Sequence, residues 1–316
     1  MISLITTTLN EGKNIEDFLK SLFSQTKIPD ELLIVDGGST DNTLPVISNF
    51  KFQIKNKKIR FKFLKKMGNR SIGRNEAIKH AKGNIIVCTD VGCLPDKNWI
   101  KNIVEPFKNM EVSVVAGYYE PEVENIFEKS LATYTCVMPD KVEPNDFLPS
   151  SRSVAFKKSA WEKVGGYPEW LNTCEDLFFA RELKRKGLKF AFAKNAIVFW
   201  PQRKNIFRAF FQFFNYALGD GIARYFRKTT PLLYGRYALV LILLIIFIQT
   251  RSVFFPGILI SGLALYLIWS IFKNYKYVRS FSALFYLPLL QLVSDIAVLS
   301  GMSLGLLLSL SVRKNV

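Results

Sequence analysis

The sequence predicts an α/β domain with a mostly parallel sheet and helices on both faces, followed by an interfacial helical segment and an α-helical membrane region. Three observations carry this expectation. Short apolar runs alternate with helix-period segments in the first part of the chain, polar residues collect just after successive runs, and the charges are unevenly divided. The chain has 316 residues, 49% hydrophobic and 22% charged, with a formal net charge of +17. From Leu232 onward seven Lys/Arg face one acid, Asp295, so the first 231 residues hold 36 bases and 25 acids. The aromatic and aliphatic content excludes disorder. The apolar final stretch argues against a wholly soluble chain.

The elements follow in order. Ile2–Thr7 reads as a buried strand. Ile15, Phe18, Leu19, Leu22 and Phe23 fall on one helical face. Glu31–Asp36 is the next strand, and Asp41–Pro45 is a cap leading into a helix. Arg60–Leu64 alternates like a strand, Gly73–Ala81 reads as a helix, and Asn84–Thr89 as another strand. Strand and helix in regular alternation imply a parallel sheet covered on both faces. Ligands of such sheets sit beyond the carboxyl ends of the strands. Thr7–Glu11, Asp36–Asp41 and Asp90 collect at such ends. One polar cluster would be an ordinary turn; three in succession point to a site.

Three apolar stretches close the chain: Leu232–Thr250, Val253–Phe272 and Phe281–Val312. A crossing needs about 20 residues, so the last is too long for a single upright span. It also contains Pro288 and Asp295. An acid at the bilayer centre costs roughly 2.5–3.5 kcal/mol on insertion scales, so Asp295 is expected to face other helices or an interface. Lys273–Arg279 reads as a basic loop, and Arg224, Arg227 and Lys228 precede the first span. Both are expected on the cytoplasmic side, which makes the protein multi-pass with its first 230 residues in the cytosol. No secretory leader is read at Met1–Leu4. Cys88, Cys93, Cys136 and Cys174 have neither a tight pairing nor zinc-like spacing and read as reduced packing residues. His80, the only histidine, reads as surface. The basic run Lys51–Lys66 alternates with apolar residues and reads as a solvated face, not a nucleic-acid site.

The set of motifs is more specific than any one of them. Thr6–Glu11, then Leu33–Asp41, Gly73-Arg74-Asn75-Glu76-Ala77, the strand ending Thr89-Asp90-Val91-Gly92-Cys93, Val164–Pro168 and Cys174-Glu175-Asp176 occur in one order. Together they resemble the family-two glycosyltransferases, with their Rossmann-like GT-A fold, over roughly residues 1–220. With the charge and hydropathy pattern, the resemblance divides the chain into a cytosolic glycosyltransferase domain over 1–200, amphipathic interfacial helices over 201–231 and about three membrane helices over 232–316. It implies inverting transfer of a hexosyl group from a nucleotide-sugar donor to a lipid-linked (polyprenyl) or saccharide acceptor. Such an enzyme would serve glycan or polysaccharide synthesis.

Site residues follow by likeness. Asp36 would accept hydrogen bonds from a nucleobase, with Thr7, Thr8, Asn10, Glu11 and Ser39 lining the same pocket; the residues alone equally read as a capped turn. Arg74 would lie near the nucleotide, or else on a solvated surface. Asp90 matches the first acid of a metal-binding pair whose second position is Gly92. A divalent cation, Mg²⁺ or Mn²⁺, can still be held by one carboxylate plus substrate phosphates, with Asp96 a weaker second candidate. Asp176 would deprotonate the acceptor hydroxyl and Glu175 would position the substrate or Asp176, although acids at a helix start are also favoured by the helix dipole. Arg152 lies in Ser150–Ser153, which resembles an acceptor-side loop but also reads as a purely structural one, and Gln202 and Arg203 match a closing element. Aromatic residues from Ile206 to Tyr216 with a basic fringe suit a helix in the headgroup layer. The competing reading is a non-catalytic membrane scaffold that keeps this fold, favoured by Gly92 and opposed by the intact Glu175-Asp176 pair.

Overall fold

A computed structural model describes residues 1–53, 59–252 and 254–312. The centre of the basic run Lys51–Lys66 and the terminal Arg313 and Lys314 lie outside the described residues. In chain order the elements are β1 (Ile2–Thr8), α1 (Ile15–Phe23), β2 (Glu31–Asp36), α2 (Thr43–Gln53), β3 (Arg60–Lys65), α3 (Arg70–His80), β4 (Ile85–Cys88), β5 (Leu94–Pro95), α4 (Trp99–Val104), β6 (Val112–Glu122), α5 (Ile126–Thr135), β7 (Val154–Lys157), α6 (Lys158–Val164), α7 (Glu175–Arg185), β8 (Lys189–Pro201), α8 (Ile206–Ile222), α9 (Thr230–Thr250), α10 (Phe254–Val278) and α11 (Ala283–Val312). They form two units: residues 1–122 with 138–201, and residues 123–137 with 202–316.

The first unit is built on one mixed sheet of order β3-β2-β1-β4-β7-β6-β8-β5. Its first half is parallel, β1 pairing with both β2 and β4, and β2 with β3. β7 reverses direction between β4 and β6, while β6 and β8 run parallel to each other. Within the parallel half, β1 and β2 are buried along nearly their whole length, as the Leu32–Val35 run of β2 requires. β3 is the edge, and its exposed Arg60, Lys62 and Lys65 discourage further strand pairing. Ile5, Leu33, Ile86, Phe156 and Phe179 belong to the core that joins the sheet to α3 and α7. Helix α1 buries the expected Ile15, Phe18, Leu19 and Leu22.

Two local devices shape the edge where the polar residues gather. Asn69 is extended and its Oδ1 accepts from Ile72 N at 3.1 Å, so α3 starts at Arg70 and not at Gly73. Helix α6 ends at Gly165 with φ +78°, and Gly166 follows at φ +92°. A side chain on Gly166 would crowd the Asn75 amide and the Trp161 indole. With none there, Asn75 Oδ1 accepts from Trp161 Nε1 at 2.9 Å and Tyr167 N at 2.8 Å.

The second unit gathers α5 with α8–α11. Leu131, Ala209, Phe213, Leu290 and Ala297 form its core. Tyr134 donates to the Leu287 carbonyl at 2.7 Å. Helices α8 and α11 approach closely: a Cβ on Gly305 would collide with the Leu218 carbonyl, and one on Gly301 with that of Phe214. Among the described residues three helices, α9, α10 and residues 283–311 of α11, are long and apolar enough to cross a membrane. One expectation needs correction. Lys273–Val278 is not a loop but the last turns of α10, because Trp269, Lys273 and Tyr277 continue the helical spacing. Phe281–Val312 yields one continuous helix of 30 residues with Pro288 inside it, about 45 Å long. Asp295 faces neighbouring helices as expected. It accepts from Tyr266 Oη at 2.6 Å, Tyr237 Oη at 3.1 Å and Gln291 Nε2 at 3.0 Å, with Arg236 at 3.4 Å.

Candidate active site

Parallel pairing decides which residues share the edge. Asp36 ends β2 opposite Thr8 of β1, and Asp90 follows β4 on the other side of β1. Two strand spacings separate the ends carrying Asp36 and Asp90, about 10 Å. Asp36 is fully buried, and its Oδ2 accepts from Gly38 N at 2.9 Å and Ser39 N at 3.0 Å. Oδ1 accepts from Ser39 Oγ at 2.5 Å. This carboxylate therefore folds the Gly37–Ser39 turn. The turn meets the loop after β1: Asn10, at φ +55°, donates its N–H to Ser39 Oγ at 2.9 Å and accepts from Thr40 N at 2.9 Å. Glu11 N donates to Thr43 Oγ1 at 2.8 Å. Thr7 is half-buried, and Thr8 is buried with its hydroxyl unpartnered among the described residues. Asp36, Ser39, Thr7, Thr8, Asn10 and Glu11 thus lie together.

Arg74 departs most from a surface reading. It is 1% exposed, on the second turn of α3, and its two ends reach two separate acids. Nη1 donates to Glu175 Oε1 at 2.8 Å and Nη2 to Asp90 Oδ1 at 2.8 Å. Its face lies over the Tyr167 ring, 5.4 Å from the centroid. Burial works against the guanidinium charge, but Asp90 and Glu175 outweigh it and hold Arg74 charged. Loss of water resists ionisation of Asp90; Arg74, with Arg70 and Arg152 acting at longer range, overcomes that and holds the carboxyl below its usual range. Glu175 is the reverse case. Its burial, aided by the neighbouring Asp176, pushes the carboxyl up despite Arg74. Burial also pushes the Cys88 thiol up to about 12, in keeping with an inert packing residue.

Asp176 opens α7 beside Glu175, after Cys174 turns the chain at φ +67°. Its Oδ2 accepts from Ser150 Oγ at 2.8 Å and Ser151 N at 3.2 Å, and its Oδ1 from Leu177 N at 2.8 Å. Arg152 donates Nη1 to Ser150 Oγ at 2.9 Å and lies 3.9 Å from the Trp200 ring centroid. Asp90, Arg74, Glu175, Asp176 and Arg152 therefore converge. Gln202 and Arg203 belong to the second unit. There Gln202 accepts from Thr135 Oγ1 at 2.7 Å, and Arg203 Nε donates to Gln212 at 3.0 Å.

Among the described residues no group of three or more His, Cys, Asp or Glu could hold a metal ion by itself. Asp96, the weaker ligand candidate, commits Oδ1 to Asn98 N at 2.9 Å. Asp90 is ionised and its side chain is 31% exposed, with Oδ1 engaged by Arg74. Among the described residues nothing approaches within 4 Å of where a Cβ on Gly92 would stand. These residues fit a divalent cation whose remaining ligands are phosphate oxygens and water. Tyr167, Ser150 and Asn75 shape the site without being singled out as site residues from the sequence. The only sequence signal for them is membership of the motifs Ser150–Ser153, Val164–Pro168 and Gly73–Ala77.

Comparison with known proteins accords with this geometry. The model of the family "Glycosyl transferase family 2" matches residues 3–160. The O-antigen chain rhamnosyltransferase RfbN of Salmonella typhimurium is 29% identical over 210 residues, which is 62% of this chain but 65% of that protein's length. The glycosyltransferase AglE of Haloferax volcanii is 25% identical over 207 residues, 64% of this chain and 67% of its own. The alignments thus span about two thirds of these relatives. A solved mannosyltransferase from Pyrobaculum calidifontis, in complex with GDP-mannose and Mn²⁺, superposes with a TM-score of 0.64 at 19% identity. It covers 94% of this chain and 86% of its own, a likeness of fold.

Proposed function

This chain belongs to glycosyl transferase family 2, and from that premise we propose that it moves a hexosyl group from a nucleotide-sugar donor to a lipid-linked (polyprenyl) or saccharide acceptor, with inversion. The observation that carries the reading is the convergence of Asp90 and Glu175, the chain neighbour of Asp176, on one buried arginine. Glycan synthesis is supported by the relatives, which include an O-antigen chain rhamnosyltransferase.

The donor's base and ribose enter the Asp36–Ser39 turn with Thr7, Thr8, Asn10 and Glu11, where, among the described residues, Asp36 Oδ1 receives only Ser39 Oγ. Its diphosphate meets Asp90. A divalent cation, Mg²⁺ or Mn²⁺, held by Asp90 and donor phosphates would stabilise the charge developing on the leaving diphosphate; the Mn²⁺ in the mannosyltransferase complex supports this. Arg74 keeps Asp90 and Glu175 fixed and Asp90 ionised. Asp176 removes the proton of the acceptor hydroxyl. Arg152 serves the acceptor side, and Gln202 and Arg203 the closing element.

Helices α9–α11 anchor the chain as a multi-pass membrane protein. Arg224, Arg227 and Lys228 before α9, and Lys273 to Arg279 at the end of α10, favour a cytoplasmic catalytic domain over 1–200. On α8, Phe207 and Phe211 stay exposed opposite the buried Ala209 and Phe213. With Phe226 they support 201–231 as an interfacial segment and 232–316 as the membrane part.

The test is a panel of nucleotide sugars, GDP-mannose first, offered with Mn²⁺ and membranes that contain lipid-linked acceptors. Wild type is expected to transfer, and Asp176→Asn to lose about 10²–10⁴-fold in turnover at an unchanged melting temperature. Full activity in that variant removes Asp176 from the chemistry. Failure of wild type with every donor favours the scaffold reading that Gly92 suggests.

A further inference from the structure

The Asp176 carboxylate is not symmetrically placed. Each carboxylate oxygen offers about two acceptor positions. Both on Oδ2 are taken, by Ser150 Oγ at 2.8 Å and Ser151 N at 3.2 Å. Among the described residues, Oδ1 receives only Leu177 N. The direction of the Ser150 bond is also decided. Ser150 Oγ accepts from Arg152 Nη1 at 2.9 Å, and a guanidinium has nothing to accept with. The one hydroxyl proton of Ser150 is therefore committed to Asp176.

Two features hold this relay still. Ser153 N donates to the Ser150 carbonyl at 3.0 Å, closing a turn that runs straight into β7. Arg152 is held over the faces of Trp200 and Tyr119, with centroids at 3.9 and 5.5 Å. We propose that Ser150 is a positioning residue: oriented by Arg152, it fixes Oδ2 of Asp176 and leaves Oδ1 as the atom that takes the acceptor's proton.

This rests on Asp176 being the base, as argued above. In the step, the acceptor oxygen bonds to the anomeric carbon as its proton passes to Oδ1. The bond from that carbon to the phosphate oxygen breaks, and its electron pair leaves with the nucleoside diphosphate. The negative charge thus moves from the carboxylate to the leaving group, with no further reactant. Ser150 gives up no proton; it keeps the accepting lone pair of Oδ1 aimed at the acceptor.

The experiment uses the full chain in membranes and the donor that wild type turns over. Compared are Ser150→Ala, Ser150→Thr, Asp176→Asn and the Ser150→Ala/Asp176→Asn pair. Misaiming a catalytic group costs up to about 100-fold, so Ser150→Ala is expected to lower kcat about 10- to 100-fold with the donor KM within about twofold. Ser150→Thr, which restores the hydroxyl, is expected to recover most of the rate. In the Asp176→Asn background the Ser150 change should cost little more, because both act through one group. A merely structural serine would instead multiply its loss onto the Asp176 variant. That multiplication overturns the proposal, as does wild-type kcat in Ser150→Ala or no recovery with threonine. Should Ser150→Ala melt early, the threonine variant and the double-variant ratio decide between the two roles. If Asp176→Asn itself is fully active, the base assignment falls and takes the proposal with it. If Asp176→Asn is crippled and Ser150→Ala is not, the relay alone falls.

Discussion

The two units of this protein each bury an acid, and they handle it differently. In the sheet unit Arg74, 2% exposed at its side chain, faces two carboxylates, so that the cluster keeps a formal excess of negative charge. One of the two, Asp90, remains 31% exposed at the edge of the sheet. In the helical unit Asp295 is 6% exposed and is met by two phenols, an amide and a guanidinium, that of Arg236, which itself lies 4.1 Å from the Tyr266 ring centroid. The first cluster is unbalanced and open on one side, as a site for a charged ligand must be. The second sets one carboxylate against one guanidinium and ties α9, α10 and α11 together. A buried charge thus points to chemistry where the charges around it do not balance.

The contrast can be broken by substitution. Arg74→Met removes the cation that bridges two acids, and stranding charges in this way typically costs 3–5 kcal/mol, about that range here. The expected result is an early melting transition of the sheet unit, read by near-ultraviolet circular dichroism in detergent. Wild-type stability in this variant would mean that the acids are not coupled through Arg74. Next in size, Gly305→Ala presses a methyl group against the Leu218 carbonyl. Overpacking of this kind costs about 1–3 kcal/mol, seen as loss of heat resistance of the helical unit. Smallest is Asp295→Asn. The asparagine keeps an acceptor for the two phenols, and polar contacts between membrane helices average about 0.6 kcal/mol. A drop as large as that of Arg74→Met would show the membrane cluster to be an ion pair of the same kind, and the contrast would fail.

Much of this was legible in the sequence, for identifiable reasons. Glu31–Asp36 is observed with the bounds expected, since a strand buried on both faces must be an unbroken apolar run. Helix α1 was legible from its period, and the membrane helices from length and hydropathy. The meeting of polar residues at one edge follows from parallel pairing, which the alternation of elements implies. The second half of the sheet was not legible. β6 and β8 are long, and their burial along the chain is irregular, with register shifts between them. Helix α5 belongs to the helical unit although it lies between two strands of the sheet unit, and no local pattern announces that.

The amino-acid sequence by itself determined the local periods, the membrane segments and the order of the motifs, because these depend on neighbours a few residues apart. Only the tertiary structure decided that Arg74 is buried between acids at positions 90 and 175, that Asp36 spends most of its acceptor capacity on its own turn, and that Ser150 points its proton at Asp176. Arg74 and Glu175 stand 101 residues apart. Their contact depends on which strand lies beside which and on the direction of each hydrogen bond, and linear spacing carries neither.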